Sequence, residues 1–255
     1  MPPTHTLIEI GPAEPRAAVR LVTAQLAPRL VSRTATTAHV ALVAAGALLL
    51  PGDEVSIRVR VGAGCSLSLS EIGGTVAYGG GPEPSRWSAE VDLAPGARLL
   101  WAGKPLVVSE GAEVLRRTRI RLAEGAAVLV RETAVLGRSG ERGGTIRSRM
   151  LIDQGVRPLL AEGFQAAGSA PQPGILGGHR VLDAVVLAGI RPAASDGPDL
   201  LLLDGPGAMA RYLGGQLHRS PLDAVWDDWA AVIGTAAATA AGLAEPKDVR
   251  AHACH

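Results

Sequence analysis

The feature that most constrains this chain is a glycine turn that returns at nearly fixed spacing between stretches of alternating apolar residues. Val55, Ile57, Val59 and Val61 alternate with Ser56, Arg58 and Arg60, the two-residue period of a strand with one wet face. The turn Gly62-Ala63-Gly64 then leads into Cys65, Leu67 and Leu69, which alternate with serines. The same shape follows in Val91–Leu100 around Gly96 and in Ile120–Leu129 around Gly125. Glycine takes positive φ without steric cost, as tight turns between strands require. A recurrence near 30 residues suggests stacked hairpins or rungs, each covering the apolar face of its neighbour; an ordinary sandwich of unrelated hairpins is the alternative.

Composition agrees with short strands and frequent turns. The chain has 32 glycines and 18 prolines in 255 residues, too many for a helix bundle, and only 3% aromatic residues, so its core must be built from Val, Leu, Ile and Ala. Further strands are expected at Thr6–Ile10, Val114–Leu122, Ala127–Val135 and Thr145–Ile152, with a final pair at Val181–Ile190 and Leu200–Leu203. Residues 16–31 fit a helix or two strands broken at Pro28, and strands are favoured. Residues 166–178 are rich in turn formers and read as an irregular connection.

Near the end the character changes. Ala208–Leu213 reads as a short helix, and Ser220-Pro221 opens a second with a capping serine and an early proline. Leu222, Val225, Trp226, Trp229 and Ile233 share one face of that second helix, the pattern of core packing. The expectation is a mainly β fold of layered, rung-like or sandwiched sheets with two short C-terminal helices. It forms a single domain over residues 1–245, followed by a flexible tail at 246–255.

The net charge of +1 gives no general drive toward nucleic acid or membrane. Charge is nevertheless uneven: residues 116–157 hold ten arginines against four acids, Glu124, Glu132, Glu141 and Asp153. Arg117, Arg119 and Arg121 alternate along one strand and so share a face, which is either solvated or a docking surface. Two cysteines make no disulfide framework, the N-terminus shows no signal-peptide pattern, and the longest apolar run, Val40–Leu50, has 11 residues where a membrane helix needs about 20. A cytoplasmic protein is expected.

Catalytic motifs are missing. There is no phosphate-binding loop, no G-x-S-x-G elbow, no H-E-x-x-H and no C-x-x-C pair, and no aromatic platform beside the arginines for single-stranded nucleic acid. Three features could handle a metal. The acids Asp53, Glu132 and Glu141 offer oxygen sites between which a divalent cation can pass, although Glu132 could equally pair with Arg131 or Arg121. His252, Cys254 and His255 place three good ligands in the last four residues. His39, His179 and His218 are isolated and read as structural.

The stretch RIRLAEGAAVLVRETAVLGRSGER, with Glu132, Gly137-Arg138 and Gly140-Glu141, resembles the E…GR…GE signature of the urease accessory protein family UreD, also called UreH. LLLPGDEVSIRVRVGAGCSLSLS, LAPGARLLWAGKPLVV, RSRMLIDQGVRPLLAEGF and RYLGG…AVWDDWAAVIG are similar to the family's other segments in order and spacing. Ser70–Tyr78 and Lys104-Pro105 depart from its pattern.

The resemblance implies a non-catalytic maturation factor with no tightly bound cofactor. It would bind the accessory protein UreF, and through it the GTPase UreG, on apo-urease, and would help nickel travel through an internal passage. On that reading Asp53, Glu132 and Glu141 line or support the passage, Arg138 holds the Gly137–Gly140 turn by an ion pair, and Arg117, Arg119, Arg121, Trp226 and Trp229 dock partners. Two other classes stay open, a nickel or zinc buffer acting through His252, Cys254 and His255, and a carbohydrate-directed enzyme on β rungs. Four scattered tryptophans argue against the latter.

Overall fold

The computed structural model describes residues 4–46, 49–192 and 200–242, the last eight of them as backbone. The strands are β1 (Thr6–Gly11), β2 (Ala18–Val22), β3 (Leu26–Arg33), β4 (Thr37–Ala44), β5 (Glu54–Val61), β6 (Ser66–Glu71), β7 (Thr75–Ala77), β8 (Ser85–Leu93) and β9 (Arg98–Ala102). They continue with β10 (Leu106–Val108), β11 (Glu113–Leu122), β12 (Ala127–Leu136), β13 (Thr145–Gln154), β14 (Arg157–Ala167), β15 (Val181–Ala188), β16 (Leu200–Leu202) and β17 (Gly207–Gly214). A 3-10 turn at Leu217–Arg219 precedes the single α-helix among the described residues, α1 (Leu222–Gly242).

The glycine spacing is the rung step. Strands β5, β8, β11 and β13 lie side by side and parallel, as do β6, β9 and β12. Val55 stands opposite Trp87, and Trp87 opposite Arg116, steps of 32 and 29 residues. Those are the intervals from Gly64 to Gly96 and from Gly96 to Gly125. The three glycines have φ of 66°, 68° and 66°. Their turns stack, with the Gly64 amide donating to the Pro95 carbonyl at 3.0 Å and the Gly96 amide to that of Glu124 at 2.9 Å. Each turn therefore occupies backbone groups of the next, and the column closes without a frayed end inside it.

Two sheets result. The first runs β14-β13-β11-β8-β5-β1-β2, and the second runs β16-β17-β15-β12-β9-β6-β4-β3, with β7 and β10 attached beside β12. One continuous buried cluster joins their inner faces, from Ile57, Val59, Val91, Ile120 and Ile152 to Leu67, Leu69, Leu99 and Val128. The outer face of the second sheet is covered by α1, whose Leu222, Trp229 and Ile233 pack on Leu129, Val185, Leu187 and Ala210. Strand β15 is thus covered on both sides, and all eight of its residues are buried. No helix among the described residues is long and apolar enough to cross a membrane.

The mainly β, layered architecture is as expected, with three local differences. Ala208–Leu213 is strand, not helix: it lies within β17, flanked by β15 and β16, so ladder bonds on both sides override the helix preference of Ala and Met. The expected pairing of Val181–Ile190 with Leu200–Leu203 is mediated by that same strand. Pro28 does not break the early strands; the break falls between Val22 and Leu26, and the proline is tolerated because β3 is an edge strand. The tail at 246–255 lies outside the described residues.

Candidate functional site

Strand alternation carries a few polar residues into the core. On β12, Glu132 shares the inward parity of Val128, Val130 and Ala134, and on β11 Arg116 and Thr118 share that of Val114 and Ile120. They meet between the sheets. Glu132 Oε1 accepts a hydrogen bond from Thr118 Oγ1 at 2.6 Å and lies 3.0 Å from an Arg116 guanidinium nitrogen, the two side chains being 14% and 11% exposed. The partner of Glu132 is therefore Arg116 across the core, not its sheet neighbour Arg131 or the outward-facing Arg121.

The polar file continues on both sides. Arg116 and Glu71 line one small cavity with Trp87, Lys104 and Leu106. Glu71 Oε1 accepts from Trp101 Nε1 at 3.0 Å, and Oε2 from the Lys104 amide at 2.9 Å. Burial pushes the Glu71 carboxyl above its usual range, opposed by the Lys104 amide, the Arg116 charge and Trp101. On the other side, Arg116, Glu132, Ser148 and Glu162 border a cavity of about 30 Å3, room for about one water, and Glu162 ion-pairs with Arg211. The chain thus has a file of ionisable groups, Glu71, Arg116, Glu132, Glu162 and Arg211, running through an apolar interior.

The signature turn follows the C-terminal end of β12. Glu141 Oε1 accepts from Arg138 Nε at 2.8 Å and from a second guanidinium nitrogen at 2.6 Å, while Oε2 accepts the backbone amides of Arg138 at 2.9 Å and Glu110 at 3.2 Å. Arg180 grips the turn from below through the carbonyls of Leu136, Gly137 and Arg138, at 2.9, 2.8 and 2.7 Å. A Cβ on Gly137 would stand 2.7 Å from the Gly143 nitrogen, and φ there is 76°, so backbone crowding as well as turn geometry requires glycine. Gly140, with φ of 81°, faces open space. The Arg138 bonds, then the amide bonds, hold the Glu141 carboxyl down at about 2. The carboxylate's stabilising contribution is therefore present above the ordinary value of about 4.3 and is lost only as pH falls through about 2. Arg138→Ala is expected to return Glu141 toward the ordinary range in a carboxyl-carbon NMR titration. A midpoint near 4 in the unmodified protein would contradict the bonded turn.

The three candidate acids belong to separate networks: Glu132 is bonded to Thr118 and Arg116, Glu141 to Arg138 and Glu110, and Asp53 to neither set. Asp53 Oδ2 accepts the Leu50 amide at 2.9 Å, closing the turn before β5. β5 lies three strand positions from β13, the strand that follows Glu141, about 14 Å at ordinary strand spacing. No cluster of three His, Cys, Asp or Glu suited to a metal occurs among the described residues, and His252, Cys254 and His255 lie outside them. His39 Nε2 is hydrogen-bonded to Ser70 Oγ at 3.1 Å.

Comparison with known proteins fits this architecture to a family. The family model described as UreD urease accessory protein matches residues 17–241. Urease accessory protein UreD 1 of Streptomyces griseus is 43% identical over 190 residues, covering 74% of this chain and 74% of that protein. Urease accessory protein UreD of Frankia casuarinae is 33% identical over 222 residues, 73% of this chain and 70% of the relative. The chain belongs to the UreD family.

Within this UreD-family chain the arginine row is mostly neutralised. Arg121 donates to Asp92 Oδ1 at 2.7 Å, and Arg119 lies 3.5 Å from Asp153 Oδ2. Arg117 stays exposed. Trp229 is 3% exposed and packs into the cluster between α1 and the second sheet; Trp226 is partly buried against the same cluster.

Sequence reading missed the residue that fastens α1, Asp183. It is fully buried on β15 and accepts from Arg131 Nε at 3.0 Å, Thr133 Oγ1 at 2.7 Å and Ser220 Oγ at 2.6 Å, while Arg131 also reaches Asp223 at 2.5 Å. A single acid inside the otherwise apolar VLDAVVLA was the available signal. Glu71 was missed too, although it continues the inward parity of Leu67 and Leu69.

Proposed function

We propose that this chain is a non-catalytic scaffold of urease maturation that binds apo-urease together with UreF and UreG and lets nickel pass through its interior. A urease maturation role follows from the family. The observation that supports interior transfer is the file from Glu71 through Arg116 and Glu132 to Glu162, because ionisable groups inside an apolar core carry a desolvation cost and are kept where they serve a purpose. Hard carboxylate oxygens suit a divalent cation held weakly enough to leave.

In the resting chain Arg116 occupies Glu132, so a cation moving through must displace the guanidinium, which acts as a stand-in positive charge. Nickel is cargo in this reading and no tightly bound cofactor is required. Asp53 and Glu141 serve the fold: each closes a turn at the edge of the sheets, and Glu141 already accepts four hydrogen bonds.

The test is reconstitution. The purified chain is mixed with UreF, UreG and apo-urease, the complex is isolated by size, and urease activity is measured after nickel and GTP are added. A complex containing all four proteins, with activation that depends on this chain, is expected. Failure of the chain to join apo-urease or UreF would end the scaffold reading.

A further inference from the structure

The outer face of the first sheet is a ladder of charges that alternate in sign from strand to strand. One row reads Arg20, Glu9, Arg60, Asp92, Arg121, Asp153 across β2, β1, β5, β8, β11 and β13. The next reads Arg58, Glu90, Arg119. Opposite charges side by side stabilise a sheet, and like charges directly opposite destabilise it.

A third row breaks this order. It reads Ser56, Ser88, Arg117, Arg149, Gly163 across β5, β8, β11, β13 and β14. Arg117 and Arg149 stand opposite each other on adjacent parallel strands, both exposed, and neither makes an ion pair or side-chain hydrogen bond with a described residue. Arg147, two residues along on the same face, adds a third guanidinium, held only at 3.8 Å by Glu113 and through Gln165.

The row ends in a second irregularity. Gly163 sits inside strand β14, where glycine costs stability, yet its φ is not positive and a Cβ would meet nothing closer than the Ser148 carbonyl at 3.6 Å. Nothing within the fold requires glycine there. Beside it lies an open depression of about 490 Å3 whose lining includes Arg147, Arg149, Gly163 and Gln165 and also Glu162, already ion-paired with Arg211, and Phe164. Glycine inside a strand often marks a bulge, a bend or a place where another backbone approaches closely, and the irregularity of β14 falls at Pro158–Leu160, away from Gly163.

We infer that this row, Arg117, Arg149 and Gly163, is a docking surface for an acidic segment of a partner protein, whose carboxylates are forked by the two guanidiniums while its main chain lies against Gly163. Guanidinium pairs match carboxylate geometry, and a bound carboxylate would remove the like-charge repulsion that the free sheet tolerates. A long polyanion is disfavoured, because Glu90 stands in the adjoining row with Asp92 and Asp153 in the row beyond it, and the nearby Phe164 ring packs against the core, leaving no stacking platform. The inference deepens the scaffold reading by assigning a face to one protein contact.

The assay uses a short fluorescent peptide, Gly-Gly-Glu-Glu-Gly-Gly, whose two adjacent carboxylates match the two guanidiniums, and measures anisotropy. Wild-type chain is expected to bind it in a salt-sensitive way. Arg149→Glu should weaken binding about tenfold or more, since like charge now faces the peptide, and should melt no lower than wild type because it restores the alternation of sign. Gly163→Val should also weaken binding without lowering the melting temperature, whereas Arg121→Gln, which removes a guanidinium already bonded to Asp92, should bind as wild type. Equal affinity of wild type and Arg149→Glu, no binding by wild type, or tighter binding of a single-stranded oligonucleotide than of the peptide would each overturn the inference. The peptide assay contains no urease component, so its failure overturns the patch alone, whereas failure to assemble with apo-urease and UreF overturns the scaffold reading.

Discussion

Asp183→Ala is expected to lower the unfolding free energy by about 3–5 kcal/mol, the usual consequence of removing one partner of a buried ion pair. The carboxylate is fully buried and holds three side chains at once: Arg131, Thr133 and Ser220. Removing it strands the Arg131 guanidinium, 18% exposed, with only the exposed Asp223 as anionic partner. Ser220 also accepts the Leu222 amide at 3.4 Å, so the loss reaches the start of α1. Burial alone would raise the Asp183 carboxyl, but the bonds from Arg131, Ser220 and Thr133 outweigh it and hold the group below the ordinary value. Its contribution is therefore complete at neutral pH, begins to fade below the unfolded value of about 3.9, and is gone once pH has fallen through the folded one. Urea denaturation reads the free energy, and amide exchange along α1 reads the loosened helix. A variant that melts within a few degrees of wild type, with α1 equally protected, would show that the network adds little.

The rung architecture was legible in the sequence because the stacking step is a spacing, and spacing survives without knowledge of contacts. Gly64, Gly96 and Gly125 gave the step before any strand pairing was known. Alternation similarly placed Val55–Val61 with one face inward. Alternation also carries the interior file: Glu71 follows Leu67 and Leu69, Glu132 follows Val128 and Val130, and Arg116 follows Val114, all in inward phase.

The partner of Glu132 was not legible, since nearest neighbours in sequence suggested Arg131, and only the stacking of β11 against β12 across the core selects Arg116. The helix expected at Ala208–Leu213 failed for a related reason: local preference is weak beside two ladders of backbone bonds. The three outward arginines of β11, Arg117, Arg119 and Arg121, could not be told apart by pattern. Their fates depend on Asp92 and Asp153, which lie about 30 residues away in sequence and one strand away in space.

Glu132→Leu alone is expected to cost about 3–5 kcal/mol, because Arg116 is left charged inside the core, whereas Arg116→Met combined with Glu132→Leu is expected to fold with stability near that of wild type. Both side chains are largely shielded, at 11% and 14% exposure, so replacing the pair with apolar groups of similar volume removes two desolvation costs along with one attraction. The double variant keeps the sheet pairing, leaves every residue of the docking row in place and should still assemble with apo-urease and UreF. It removes the charged middle of the file between Glu71 and Glu162. If nickel moves along those carboxylates, the assembled complex should fail to activate urease, or do so at a small fraction of the wild-type rate, while urea denaturation shows an intact fold. If instead the double variant assembles and activates normally, the interior acids are structural, and nickel reaches urease by another route. Because both members of the pair are removed together, neither is left facing an absent partner, and lost activation in a variant that denatures like wild type could not be attributed to a damaged scaffold; the single variants do not offer that separation.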